Sequence, residues 1–405
     1  MGFVFAWDNS VKPGATHPPL TKMFSRHLLA SLLTLSLLAA CGRVPLAATP
    51  SPLPEPTATS TSPAPTQHLA PFVLRVWVTP RFDPASDSLL QARLDAFAAD
   101  HAGLEIEVRV KDESSLLESL RLTAFAAPSS SPDLIALPRA DLEAAAAQGL
   151  VQPLSASALD DASWHPLARS LGRVHDSVYG LPFALDALAM ASSVPEPLTN
   201  WQAVSDAGVL AFNVNDASFP LALYLSAGGE LVDAEGNLTL NESVLTRVLT
   251  LFAQGQVLPL ASDAEVASAL GQGSAVAVGW TEGFLNGGQL QVQLEALPGL
   301  ESPPATLVTS WSWSVASADV ERQKLAIELA EWLTAEEFLG EWTPSHGLLP
   351  PRVDVRWKPL LDPARPVPPA ELMDVIAPIL REAVLSVLNG VPPEVAARGA
   401  LEKLK

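Results

Sequence analysis

SPDLIALPRADLEAAAAQGLVQPLS, residues 131–155, decides between fold classes. Its PDLIAL portion, 132–137, is a short continuous apolar run behind turn-forming residues, the pattern of a strand buried on both faces. From Asp141 to Gln148 alanine dominates, and Gly149 closes the segment as a helix stop. The chain upstream repeats the motif. FVLRVWV at 72–78 and LEIEVRV at 104–110 alternate apolar and polar positions with β-branched and aromatic residues. Between and after them, 88–99 places Leu89, Leu90, Leu94 and Phe97 at helical spacing, and 114–126 does so with Leu116, Leu117, Leu120 and Phe125. Strand, helix, strand, helix, strand predicts an α/β unit on a mainly parallel sheet, joined by right-handed crossovers.

A second α/β region follows. VLAFNV at 209–214 reads as a strand, and a helix over 219–227 stops at Gly228 and Gly229. GELVDAEGNLTL at 229–240 has the acidic, glycine-bearing turn of a hairpin, and the helix after it takes Asn241 as its N-cap. A short helix is predicted at 263–270, then strands in SAVAVGW at 274–280, QVQLEALP at 291–298 and 311–315. Helices at 320–333 and 369–388 complete the chain, the latter with a kink near Pro378.

Upstream of both regions, LLTLSLLAACG at 32–42 contains Cys41, the single cysteine of the 405 residues. Lys22 and Arg26 precede an apolar run from Leu28 to Leu38, and Ala39 and Ala40 are small: the three-part layout of a secretory signal. The run is shorter than the roughly 20 residues that span a bilayer. Residues 1–40 are therefore expected to be a signal peptide, with Met23 as the expected start. With one cysteine no intramolecular disulfide forms. Residues 42–71 are rich in Pro, Ser, Thr and Ala, cannot bury enough apolar surface to offset ordering entropy, and favour extended conformations, so 41–71 is expected to be a disordered tether.

Composition narrows the function. The formal charge of −20 and a pI near 4.7 exclude a nucleic-acid partner, which needs positive surface. Apolar residues make up 48% of the chain, and the body after the tether is long enough for two domains. None of the seven histidines forms a metal-ligand motif; His165 and His175, ten apart with Asp161 and Asp176, are a weak signal. Nucleophile-elbow and phosphate-loop motifs are absent from the sequence, so no catalytic residue, cofactor or metal is assigned. A glycosidase needs only two carboxylates, and 44 acidic residues leave that enzymatic alternative open.

Five segments in order carry a resemblance. They are 131–155 as quoted, VYGLPFALDALAM at 178–190, LSAGGELVDAEGNLTLNE at 225–242, ALGQGSAVAVGWTEGFL at 269–285, and LAIELAEWLTAEEFLGEWTPSHGLLPPR at 325–352. From about residue 72 onward the chain resembles the extracellular solute-binding proteins of ABC importers, in the sugar-binding branch similar to maltodextrin-binding protein. Where the family continues with a Tyr-Tyr-Asn strand, Ala191-Ser192-Ser193 stands instead. Leu38-Ala39-Ala40-Cys41 resembles the lipobox of bacterial lipoproteins, which implies an acylated Cys41 and attachment to the outer face of the cell membrane.

The resemblance implies a two-lobed, periplasmic-binding-protein-like α/β fold with a hinge and an interlobe cleft. It sets one lobe at 72–181 plus 275–309 and the other at 182–274 plus 310–405 with the C-terminal helices. It also implies a monomer that binds a carbohydrate and delivers it to permease subunits, the alternative being a ligand-sensing lipoprotein receptor. Tryptophan supplies 10 residues beside 2 tyrosines, and flat rings suit sugar C–H faces. Trp280, Trp311 and Trp313 are candidate stacking residues, the last two sharing one strand face. Arg81, Phe82 and Asp83, after the first strand, and Arg139 and Asp141, after the third, stand where open α/β sheets bind ligands. Asp186, after the crossover, and Tyr179, at the hinge or cleft wall, complete the candidate site.

Overall fold

The computed structural model describes residues 72–272, 274–286, 292–300 and 303–404. The signal segment, Met23, Cys41 and the tether lie outside the described residues.

Among the described residues there are twelve strands: β1 (Phe72–Val78), β2 (Leu104–Val110), β3 (Leu134–Pro138), β4 (Arg173–Val174), β5 (Ser177–Val178), β6 (Leu181–Ser192), β7 (Leu210–Asn213), β8 (Val257–Leu260), β9 (Val276–Trp280), β10 (Gln293–Glu295), β11 (Thr306–Val315) and β12 (Ala364–Pro366). Ten of them form one path in the order β2-β1-β3-β11-β6-β9-β7-β8, with β10 on β6 and β12 on β11. β1 runs parallel to β2 and β3, and β7 runs parallel to β8 and β9, as the strand–helix alternation predicts. β3 is buried along LIAL, which explains why it reads as an unbroken apolar run.

β6 makes two halves of this path. All twelve of its residues are buried. Its first part, Leu181 to Ala187, pairs with β11, and its second, Leu188 to Ser192, pairs with β9. The strand thus belongs to two sheets in succession. β11 brings the chain back, beginning beside β12 at Thr306 and ending beside β3 at Val315.

Each half has its own core. In the first, Leu74, Val76, Phe82, Leu90 and Phe97 pack with Leu329, Leu333, Leu339, Trp342 and Leu361. In the second, Phe212, Phe219, Val248 and Phe252 pack with Ile376, Leu380, Val384 and Ala397. This corrects the expected lobe segments. β9 pairs with β7 of the second half, so that strand does not join the first, although Val308 and Leu285 of the same segment pack on the first core; the helices Val320–Leu333 and Glu336–Ser345 also pack there. Only the end of the chain, with the helices Ala370–Leu388 and Pro393–Glu402, returns to the second.

Local chemistry sets the ends of these helices. Asp87 accepts N–H bonds from Leu89 and Leu90 and opens the helix Ser88–Asp100. Asn241 accepts from the Val244 N–H at 3.1 Å, the N-cap that its sequence position predicts. Gly236 closes the acidic hairpin turn at φ +87°, a backbone conformation that favours glycine.

Candidate functional site

Because β1, β3, β7, β8 and β9 run parallel within their halves, the loops after them gather where the two halves face each other. After β1, Pro80–Phe82 forms one short turn of helix that carries Arg81. After β2 comes Glu113, and after β3 comes Asp141 in the first turn of the helix Arg139–Ala147. From the second half, Asp216 follows β7, Asp263 opens the helix Asp263–Gly271, and Glu282 lies in the helix Thr281–Leu285 directly behind β9.

Arg81 and Glu282 form an ion pair that joins the two halves. Behind it stands Asp186, on β6 at the point where that strand passes from one sheet to the other. Its Oδ1 accepts the Thr281 hydroxyl at 2.7 Å and the Glu282 N–H at 3.1 Å. Thr281 Oγ1 in turn accepts the Ala187 N–H at 3.2 Å, so the hinge strand and the Glu282 turn are tied together. Asp216 Oδ2 accepts the Trp280 indole N–H at 2.8 Å, and Asp263 Oδ1 accepts from the Asn213 amide at 3.1 Å.

The carboxylates perturb one another. Burial pushes Asp186 up to about 6, against the pull of its bonds to Thr281 and Glu282 and of the Arg81 charge. Burial and then the Glu113 charge raise Asp141 to about 6 as well. Glu113 is raised by burial, while Arg81 acts in the opposite direction and Glu282 and Asp112 add to the rise. Asp263 is raised by burial and by Asp216 and Glu282, with the Asn213 bond opposing. An open groove of about 590 Å³ extends the region on the first half, lined by Glu113, Leu117, Arg121, Pro138 and Asp141 among others.

The structure separates the candidate residues. Asp186, Asp141 and Trp280 belong to this cleft. Asp83 caps its own turn, accepting the Ala85 N–H at 2.9 Å. Trp311 and Trp313 are 4% and 2% exposed and lie in the first core, which corrects their reading as ligand platforms. Phe82 is buried with them, which corrects its place beside Arg81 and Asp83: Trp311 meets its ring edge-on and Trp313 stacks on Phe183, because β11 is covered by helices on that face. Arg139 is also occupied elsewhere. Its guanidinium donates to the carbonyls of Leu171 and Arg173, both at 2.5 Å, and to Glu143 at 2.7 Å. With Tyr179 it lines a separate crevice of about 510 Å³ beside the β4–β5 hairpin and the start of the helix Ala370–Leu388.

Glu113, Asp216, Asp263 and Glu282 are the cleft residues that sequence reasoning missed. Each follows a strand, the same signal that singled out Asp83 and Asp141. Among the described residues no three His, Cys, Asp or Glu side chains stand close enough together to hold a metal ion.

Two α/β halves with separate cores, joined through crossing strands and facing each other across a polar cleft, define a two-lobed binding protein. The family profile described as bacterial extracellular solute-binding protein matches residues 92–362, and the chain belongs to that family. The family works outside the cytoplasm, as its description states. Solved structures share the fold. A cyclo/maltodextrin-binding protein in complex with maltotetraose is similar with a TM-score of 0.67 and 19% identity, over 84% of this chain and 97% of that one. The maltose-binding periplasmic protein of Listeria monocytogenes, in complex with maltose, gives 0.68 and 15%, over 82% and 96%. The GacH receptor of Streptomyces glaucescens, solved unliganded and with acarbose, gives 0.64 and 19%, over 82% and 96%. No curated protein sequence matches the chain.

Proposed function

We propose that the protein binds a carbohydrate between its two halves and delivers it to the permease of an ABC importer. The observation that carries this reading is the position of Arg81 and Glu282, one polar group from each half meeting across the cleft. A solute held by both halves stabilises the closed arrangement by its higher affinity for it. The maltose, maltodextrin and acarbose complexes of the similar structures support a carbohydrate. Carboxylates suit sugar hydroxyls, and the half-buried Trp280, oriented by Asp216, offers a ring for a sugar face. Asp186 and Asp141 are assigned to the same solute.

Calorimetry across sugars, amino acids and peptides tests the reading. A sugar is expected to bind with micromolar or tighter affinity, about −8 kcal/mol. Trp280→Ala is expected to weaken it about tenfold, the loss of roughly one aromatic contact. Binding confined to amino acids or peptides overturns the carbohydrate reading.

Attachment to the membrane through acylated Cys41 belongs to the same proposal, with the 41–71 segment as spacer and a monomer as the working form. More than one acyl chain holds a protein firmly, where a single chain does not. Cys41→Ala is expected to move the protein from the membrane fraction to the soluble one. Retention on membranes after a high-salt wash counts against the anchor.

A further inference from the structure

Arg81 and Glu282, the ion pair that joins the halves, are each set in place by their own half before they meet. Arg81 rides on the short turn Pro80–Phe82, which the Phe82 N–H closes by donating to the Thr79 carbonyl at 3.0 Å. Phe82 is fully buried in the first core and pins that turn. The Arg81 guanidinium lies 5.7 Å from the centre of the Phe82 ring and 5.9 Å from that of Trp311. Its Nε has no hydrogen-bond partner among the described residues, and Glu282 is its ion-pair partner.

Glu282 is held from the other side. Its N–H donates to Asp186 Oδ1 at 3.1 Å, and the hydroxyl of the fully buried Thr281 donates to the same oxygen at 2.7 Å. The helix Thr281–Leu285 that carries it is seated by Phe284, which packs with Val266 and Ala277 in the second half.

An ion pair on an open surface contributes little, because two long side chains give up their freedom to form it and water screens it. This pair escapes much of both costs. The Arg81 side chain is 21% exposed and that of Glu282 35%, and the turns beneath them are fixed in advance. A contact that exists only while the halves are together shifts the balance between open and closed arrangements by its own free energy.

We propose that Arg81 and Glu282 form a latch that holds the protein closed while it is empty. The latch acts whatever solute the cleft takes, so it stands apart from the carbohydrate reading. The apparent affinity for a solute falls with the fraction of protein in the competent arrangement, so a latch that raises this fraction tightens binding without a new contact to the solute. It also slows entry, since the halves must part first.

The test is the distance between two spin labels by double electron–electron resonance, with no solute present. It uses the full mature chain with Cys41→Ala, so that only introduced thiols are labelled. Glu118→Cys and Ser268→Cys supply them, at exposed positions on the helices Leu116–Ala126 of the first half and Asp263–Gly271 of the second. The parent is expected to show mainly the short distance. Glu282→Gln keeps the backbone bond to Asp186 and removes the charge; it is expected to lower the ratio of closed to open molecules about tenfold, the effect of one charge-assisted bond. Arg81→Glu and Glu282→Arg are expected to open the protein singly, and the two together to restore the short distance. Identical distances in the parent and in Glu282→Gln overturn the latch. So does a folded double variant that stays as open as the single ones, because the singles then act by local disturbance. Where Arg81→Glu fails to fold against the Trp311 ring, the comparison of the parent with Glu282→Gln decides. A carbohydrate that fails to bind leaves these distances, and the latch, untouched.

Discussion

Trp313→Ala is expected to destabilise the protein by about 3–5 kcal/mol and to leave the solute affinity of the folded molecules unchanged. Trp313 is 2% exposed, on β11 between β3 and β6, and its ring stacks on Phe183 with centroids 4.7 Å apart. Phe183 meets Phe82 edge-on at 5.0 Å, and Phe82 meets Trp311 at the same distance. Truncating one ring of this cluster removes its transfer free energy and opens a cavity that rigid β-strands close poorly. The same cluster anchors Trp342 of the helix Glu336–Ser345, so that helix loosens with it. Urea titration should show a lower midpoint. A variant that melts like the parent yet binds its sugar at least tenfold more weakly would return Trp313 to the cleft and overturn its assignment to the core.

That contrast shows how far the sequence carries. The alternating and apolar runs of β1, β2 and β3 were legible because a strand buried on one or both faces leaves its period in the residue types. The family segments led to two halves, but not to the segments composing each. Pairing partners are long-range facts: nothing local in VAVGW says that it lies beside Leu210 and not beside Leu134. For the same reason β11 was read at 311–315, although it starts at Thr306. The helix Glu336–Ser345 was missed because Gly340 and Pro344 within it lower its helical signal. At the site, strand-end logic named Asp141 and the position after the crossover named Asp186; both stand among the carboxylates near Glu113 and Arg81, and their contact with a solute belongs to the proposal. Aromatic type misled for Trp311 and Trp313, since a tryptophan that packs a core and one that faces a sugar look alike in one dimension. Arg139 misled in the same way, its guanidinium being taken by carbonyls 32 and 34 residues away.

At neutral pH, Asp186→Asn is expected to make the unliganded protein more stable by about 3 kcal/mol, and the gain should vanish towards pH 4. In the unfolded chain this carboxyl titrates near its ordinary value of 3.8, whereas in the fold burial raises it to about 6. Below the lower value both states are protonated and the group costs nothing. Between the two, the folded state holds a proton that the unfolded state has released, so stability falls as pH rises. Above about 6 the folded protein carries a buried charge with one oxygen unpartnered, and the full cost is present. Asparagine keeps the Oδ1 acceptor for Thr281 and Glu282 and carries no charge, so it escapes the cost at every pH. Asp141, Glu113 and Asp263 are raised as well, and the parent protein loses stability over the same window through them; the difference between parent and variant isolates Asp186. Urea melts of both proteins at pH 4 and pH 7 measure it, and curves that stay parallel across the window would show that the carboxylate is not strained.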